Sequence, residues 1–345
     1  LATAVAALSV SAAHAAPTVY GKAFLTLDYQ DLDKGFDGKT ADVSETKLNS
    51  TGSKIGFKGG EALTANTDLV YQLEYGVKVD DNSTQFKSRD TYLGLSNKQY
   101  GTALAGRLTA IDDMVNYANV TAGGVLGGDD VLASVTAPRA DNAFAYVSPS
   151  YNGLNVLAMY ALDGDHDKAN DDLTDLGLGD YDKWGVGVKY EPEGQPYRLG
   201  TTYMSVGSDK VKDIRVSGAY DLTPAFTLGG LYQNTDIDGA DKKENAYTLS
   251  ASYKTATPWT VYGQADVVNN VLGTKDADKE RFVLGGKYAF NPATTGHIYG
   301  AYINAENKNV LVDSVDNADG TTTYYGADKI KTDGFGIGAG IEYKF

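Results

Sequence analysis

Asp333-Gly-Phe-Gly-Ile-Gly-Ala-Gly-Ile-Glu-Tyr-Lys-Phe345 decides the fold. Phe335, Ile337, Ala339, Ile341, Tyr343 and Phe345 share one parity; Gly336, Gly338, Gly340, Glu342 and Lys344 share the other. Side chains of a strand alternate between faces, so this stretch is a strand with one apolar face and one small or charged face. Soluble sandwich strands also alternate, but roughly ten such residues is the length at which a tilted strand crosses a bilayer. Its closing aromatic residue adds to the reading of a closing strand in a membrane barrel.

The same alternation recurs along the chain. Period-2 patterning bounded by turn residues gives about sixteen segments, near 18–30, 44–59, 64–80, 87–96, 101–109, 140–148, 152–163, 182–191, 195–207, 211–221, 225–236, 244–255, 259–270, 279–290, 294–306 and 331–345. Their connections alternate in length. Gly59–Leu63, Asn97–Tyr100, Pro149–Tyr151, Pro192–Gly194, Leu222–Pro224, Ala256–Pro258 and Asn291–Ala293 are tight, whereas 31–43, 110–139, 164–181 and 307–330 are long and rich in Asp, Gly, Asn and Thr. Short turns on one side and long loops on the other is the arrangement of an outer-membrane barrel. An even strand number brings both ends of the barrel to the short-turn side.

Face by face the pattern agrees. Leu69, Tyr71, Leu73, Tyr75 and Val77 oppose Gln72, Glu74 and Lys78, and Ile214, Val216 and Tyr220 oppose Asp213, Arg215 and Ser217. Charge at this density on the inner face calls for water, and sixteen strands leave an aqueous channel where eight would be filled by side chains. Tyr20, Tyr29, Tyr151, Tyr181, Tyr190, Tyr253, Tyr299 and Tyr343, near strand ends, suit aromatic girdles at the membrane interfaces.

Composition narrows the alternatives. The 345 residues include 40 Gly and 25 Tyr but no Cys, which favours an all-β chain and excludes a disulfide framework or Cys-ligated metal. The formal charge of -15 argues against nucleic acid as a partner, since phosphate recognition needs a basic footprint. The apolar stretch Leu1–Ala13 is too short for a spanning helix. With the small-x-small sequence Ala13-His14-Ala15 it reads as a partial export signal over 1–15, cleaved between Ala15 and Ala16, ahead of one barrel domain over 16–345.

In order, Thr18-Val-Tyr-Gly-Lys22, Gly52-Ser-Lys-Ile-Gly-Phe-Lys-Gly59, Arg89-Asp-Thr-Tyr-Leu-Gly-Leu95, Tyr100-Gly-Thr-Ala-Leu-Ala-Gly-Arg107, Arg139-Ala-Asp-Asn-Ala-Phe-Ala-Tyr-Val-Ser-Pro149 and the aromatic Phe345 resemble the general porin family of Gram-negative outer membranes. The resemblance runs over most of the chain and is densest from Thr18 to Asp163. It implies a trimeric, sixteen-stranded diffusion channel for ions and small hydrophilic solutes, with a third extracellular loop, about 109–139, folded into the lumen as a constriction. By matching motif positions, Lys22, Lys54, Lys58, Arg89 and Arg139 are expected to form a basic ladder on the pore wall, with Arg107 a further member. Asp112, Asp113, Asp129 and Asp130 are the expected acidic residues of the loop. The sequence departs from the family at the loop's tip, where Thr121-Ala-Gly-Gly-Val-Leu-Gly-Gly128 stands in place of a Pro-Glu-Phe-Gly-Gly motif. Tyr343 and Phe345 are the expected assembly signal, read by the outer-membrane assembly machinery; the other partners implied are membrane lipid and lipopolysaccharide.

Parity offers an independent view of the ladder. With Ile55 and Phe57 facing lipid, Lys54 and Lys58 face the lumen, and with Leu104 and Leu108 facing lipid, Arg107 turns inward. A Lys or Arg on the lipid face at mid-membrane costs about 2–4 kcal/mol, which favours this orientation.

No cofactor is expected, and no catalytic or metal-binding motif is found. A Ser-His-Asp hydrolase would need His166 or His297 beside a nucleophile. Asp163-Gly-Asp-His-Asp167 begins like a calcium loop but has Lys168 and Thr174 where Gly and Glu are required. Two other readings stay open from sequence: a substrate-specific channel, and a plugged barrel whose loops adhere to partners.

Overall fold

The computed structural model describes residues 16–36, 39–40, 42–81, 85–124, 126, 128, 130–136, 138–162, 182–207, 210–316 and 322–345. The expected signal up to Ala15, Asp129 and the Asp163–Asp167 motif lie outside the described residues, as does Tyr181; Ala16 is exposed and precedes the first strand. The strands are β1 Thr18–Phe36, β2 Lys39–Thr40, β3 Val43–Ser50, β4 Lys54–Ala62, β5 Thr67–Gly76, β6 Lys87–Asn97, β7 Gly101–Thr109, β8 Arg139–Val147 and β9 Leu154–Ala161. They continue with β10 Lys183–Tyr190, β11 Tyr197–Val206, β12 Val211–Thr223, β13 Phe226–Ile237, β14 Glu244–Lys254, β15 Trp259–Asn269, β16 Ala277–Ala289, β17 Thr294–Asp316 and β18 Thr322–Lys344.

Every pairing is antiparallel, and β2, β3 and β4 all pair with β1 as pieces of one wall strand, so the eighteen segments make sixteen strands. β18 closes the barrel on β1, in register from Lys22–Lys344 to Phe36–Ile330. Closure satisfies every strand edge, which a bilayer core requires because it offers no water to unpaired backbone groups. The Gly21 amide donates to Phe345 O at 2.9 Å, and the Phe345 amide donates back to Gly21 O at 3.1 Å.

Segment 44–59, expected as one strand, is interrupted at Thr51-Gly52-Ser53, where Gly52 has φ +61°. Opposite the break, Phe24 O still accepts from the Thr51 amide at 2.9 Å, and the Phe24 amide turns to a side chain, donating to Ser53 Oγ at 2.9 Å. The stretches 31–43 and 307–330, expected as loops, are mostly strand, since β1 runs on to Phe36 and β17 and β18 pair as far as Asp316–Thr322. Polar side chains do not stop a ladder whose two strands satisfy each other, even beyond the apolar band.

Alternation sorts the faces as expected on β18: Phe335, Ile337, Ile341, Tyr343 and Phe345 are exposed on the outer surface. The glycine face is inward for a steric reason. A Cβ on Gly338 would collide with Asp28 Oδ1 and with the Tyr299 ring, so side chains of the neighbouring strands occupy its place. Ile214, Val216 and Tyr220 are likewise exposed, while Asp213, Arg215 and Ser217 are buried.

The core is not the barrel alone. A short 3-10 helix, Ile111–Val115, puts Ile111, Met114 and Val115 against Leu104, Leu108, Leu157, Met159 and Met204 of the wall. Further along, Ala118, Val131 and Ala133 pack on Leu231, Ala246 and Val268, and Val120 and Leu126 on Tyr262, Val283 and Tyr299. The segment between β7 and β8 therefore lies inside the barrel along the inner wall.

Candidate functional site

Two surfaces meet in the lumen: the inner wall of β1 and β4–β8, and the segment 110–138. Lys22 shares its parity on β1 with Phe24, Thr26 and Asp28, all buried. It stands directly across from Lys54 in the β1–β4 register, and Thr18 stands across from Lys58. Each of these cations has a wall partner. Glu74, 4% exposed, lies 2.9 Å from Lys54 Nζ and 2.8 Å from Arg89 Nε and also accepts from the Tyr20 hydroxyl at 3.0 Å. Glu342 lies 3.7 Å from Lys22 and 2.8 Å from Lys344, and Lys58 stands over the Tyr20 ring at 5.2 Å.

Two bulges place the upper part of the ladder. On β5–β6 the register slips so that Glu74 alone opposes both Arg89 and Asp90; on β7–β8 Arg107 alone opposes Asp141 and Asn142, with Asn142 at φ +48°. A bulge breaks strict alternation and re-aims side chains. Arg89 and Asp90, adjacent in sequence, consequently both face inward. Asp90 accepts the amide and hydroxyl of Thr109, each at 2.7 Å, and lies 3.8 Å from Arg139. Arg107 lies 2.7 Å from Asp141 and lines one cavity together with Arg89 and Arg139. Leu104 and Leu108, expected to face lipid, are instead buried inside beneath the 3-10 helix, because an inner wall covered by chain is dry. Arg107 owes its direction to the bulge and not to their parity.

Among the described residues, the acidic side chains of the segment 110–138 do not form a row. Asp112 is fully buried, its Oδ2 3.2 Å from Arg215 of β12. Asp113 and Asp130 are half-buried, and the Asp130 carboxylate accepts from Asn116 at 2.9 Å and from the Val131 amide at 2.7 Å.

Wall residues outside the expected ladder hold the segment in place. Arg215 donates to Asp112 O at 3.2 Å, to Thr136 Oγ1 at 2.8 Å and to Gln233 Oε1 at 2.8 Å. Gln233 donates to Val135 O at 2.6 Å. Glu244 accepts from the amide and hydroxyl of Ser134 at 2.9 and 2.6 Å. Arg281, itself 2.8 Å from Asp266, donates to Asp130 O, and Lys287 donates to Val120 O at 2.9 Å. At the far end the Tyr299 hydroxyl accepts from the Gly124 amide at 3.2 Å and donates to Asp28. Tyr299 and Tyr20, expected in the girdles, thus face inward; Tyr151, Tyr253 and Tyr343 are exposed on the outer surface. The parity of Tyr299 against Ile298 and Tyr302, both exposed, carried that signal.

An antiparallel barrel of sixteen strands, apolar without and polar within, is an outer-membrane channel. The sequence profile of the Gram-negative porin family matches residues 2–309, and the chain belongs to that family. It is 26% identical over 330 residues to the major outer membrane protein P.IB of Neisseria gonorrhoeae, covering 88% of this chain and 92% of that one. It is 25% identical over 363 residues to an outer membrane porin of Bordetella pertussis, with the same coverage. Among solved structures, an anion-selective porin from Comamonas acidovorans superposes with a TM-score of 0.66 at 20% identity, covering 96% of this chain and 99% of that one. OmpT of Vibrio cholerae in its trimer form gives 0.65 at 18%, again covering 96% and 99%. The protein is an outer-membrane porin, a passive channel for ions and small hydrophilic solutes.

Proposed function

We propose that solutes pass between the basic ladder on β1 and β4–β8 and the uncovered side of the segment 110–138, and that these two surfaces set the selectivity. The carrying observation is exposure: Lys54 and Arg89 side chains are each 30% exposed, whereas Arg215 and Arg281, which grip the segment, are 0% exposed. Lys22, Lys54, Lys58, Arg89, Arg107, Arg139 and Lys344 make seven wall cations against the five carboxylates Asp28, Glu74, Asp90, Asp141 and Glu342. With Asp112 buried against Arg215 behind the segment and so out of the passage, this surplus gives the passage a preference for anions. Charges held on opposite sides of a narrow gap also orient dipolar solutes and hinder apolar ones that must displace ordered water.

The channel is read as non-enzymatic. His297, the one described candidate for a catalytic base, packs on the Phe24 ring at 4.6 Å, and neither of its ring nitrogens has a hydrogen-bond partner. A homotrimer is the assembly in which the barrel works, in line with the trimer form of the Vibrio cholerae neighbour. Lipid and lipopolysaccharide cover the apolar exterior, and β18, with Tyr343 and Phe345, is the segment the assembly machinery reads. Deleting Phe345 is expected to lower the folded level before it alters conductance; normal folded levels of the truncated protein would count against that role.

Planar-bilayer recording tests the whole reading: the purified protein is expected to insert in ohmic steps grouped in threes, with a reversal potential in a salt gradient on the anion side. Absence of conductance would sink the open-channel reading, and a cation-side potential would sink the role given to the ladder.

A further inference from the structure

Behind the root of the segment 110–138, away from the ladder, the wall buries more acid than it neutralises. Asp112 in the 3-10 helix pairs with Arg215. Two residues before Arg215, on the same inward face of β12, Asp213 is 2% exposed, and neither of its carboxylate oxygens has a hydrogen-bond partner. Thr202 of β11, in register with Arg215, is 1% exposed, and its hydroxyl is equally unpartnered. The charged neighbours of Asp213 are Asp112 and Arg215.

Arg215 does not resolve the imbalance. Its Nε is engaged with Gln233, its Nη1 with Asp112 and its Nη2 with Thr136. Two carboxylates thus share one guanidinium in a layer walled by Ile111, Met204, Val206 and Val211, all buried. A buried, uncompensated carboxylate is strongly unfavourable, and an unpartnered hydroxyl beside it adds to the cost. Three orphaned oxygens on the inward faces of two neighbouring strands, Thr202 in register with Arg215 and Asp213 two residues before it, with a second carboxylate arriving on the segment itself, call for a positive ligand.

We propose that Asp213, Asp112 and Thr202 form a binding site for a divalent cation, calcium in preference to magnesium. The donors are carboxylate and hydroxyl oxygens, which suit a hard cation. Calcium accepts irregular geometries of six to eight oxygens in which waters brought in with the ion complete what the side chains begin, whereas magnesium requires a near-ideal octahedron and gives up its waters reluctantly. One donor stands on the inserted segment and two on the barrel, so the bound ion ties the root of the segment to the wall. This is a structural cation site, apart from the basic ladder, and it does not depend on the selectivity assigned to the passage.

The test uses the folded, detergent-purified barrel, stripped with a chelator and titrated calorimetrically with calcium chloride and, separately, magnesium chloride. One calcium site per chain is expected, at least tenfold tighter than magnesium, with calcium raising the temperature at which the folded band is lost on SDS gels. Asp213→Asn is expected to weaken that site at least tenfold and to make the unfolding temperature indifferent to chelator. Thr202→Val, close in shape and uncharged, gives a smaller loss and decides the matter should Asp213→Asn fail to fold. No calcium binding by the wild type, with an unfolding temperature that follows pH instead, would mean that a proton supplies the missing charge and would overturn the proposal. Calcium binding unchanged in both variants would place the ion on the acidic outer loops and overturn it equally.

Discussion

On β1 and β4–β6 the inward cations Lys22, Lys54, Lys58 and Arg89 are partly wetted beside buried neighbours such as Phe24 and Thr26; on β9–β17 the inward side chains under the segment 110–138 are mostly apolar or held in buried polar contacts, as Arg215 and Arg281 are. β7 and β8 carry both characters, with Leu104 and Ala140 under the 3-10 helix and Arg107 and Arg139 at the edge of the cavity beyond it. Both sides follow the same alternation, and both carry arginines. What separates them is water. A guanidinium that keeps part of its hydration contributes little to stability and much to the local field, whereas one with no exposure fixes structure because its partner cannot be left alone.

The contrast can be broken most directly at Arg281. Arg281→Ala leaves Asp266 buried without its cation and takes one of the two donors from Asp130 O, Gln264 remaining at 3.2 Å, and is expected to cost about 3–5 kcal/mol, read as a large fall in the unfolding temperature of the folded barrel. Arg89→Ala on the open wall is expected to cost under about 1 kcal/mol; equal falls would erase the distinction. Tyr299→Phe comes next, at about 1–3 kcal/mol, because Gly124 and Asp28 lose the hydroxyl between them. Its signature is a noisier single-channel current from a loosened segment, and an unchanged current record would show that the tip is held by packing alone.

The double variant Arg89→Gln with Arg139→Gln leaves stability within about 1 kcal/mol but moves the reversal potential toward cations, more at low salt than at high, since exposed charges are screened within about 8 Å at physiological ionic strength. An unmoved potential would take these two arginines out of the passage. Lys58→Gln is expected to give the smallest change, about 0.5–1 kcal/mol from the lost contact with Tyr20 and a shift of the same sign below that of the double variant.

Most of the wall was legible because alternation is a local property. β18, β12 and the turns announced themselves within ten or so residues, and the direction of Lys54 followed from Ile55 and Phe57 beside it. The bulges were not legible, since Arg89-Asp90 and Asp141-Asn142 look like ordinary strand residues until the partner's register is known. Nor was the fate of Asp112. A loop has no parity, and its ion pair lies across the lumen on Arg215, more than a hundred residues away in sequence. Leu104 and Leu108 misled for a related reason: periodicity tells which side of a strand is apolar, not whether lipid or a folded-in segment covers it.

The grips on that segment have a consequence for how such a channel can change. Arg215, Gln233, Arg281 and Lys287 hold carbonyls of Asp112, Val135, Asp130 and Val120, while Ser217, Gln264, Tyr299 and Glu244 receive main-chain amides of Tyr117, Val120, Gly124 and Ser134. Every residue type except proline offers that same amide and carbonyl. The course of the segment is therefore written in the barrel, and the side chains it turns toward the passage are interchangeable. A lineage can trade one filter for another by point substitution on the segment without rebuilding the scaffold that carries it.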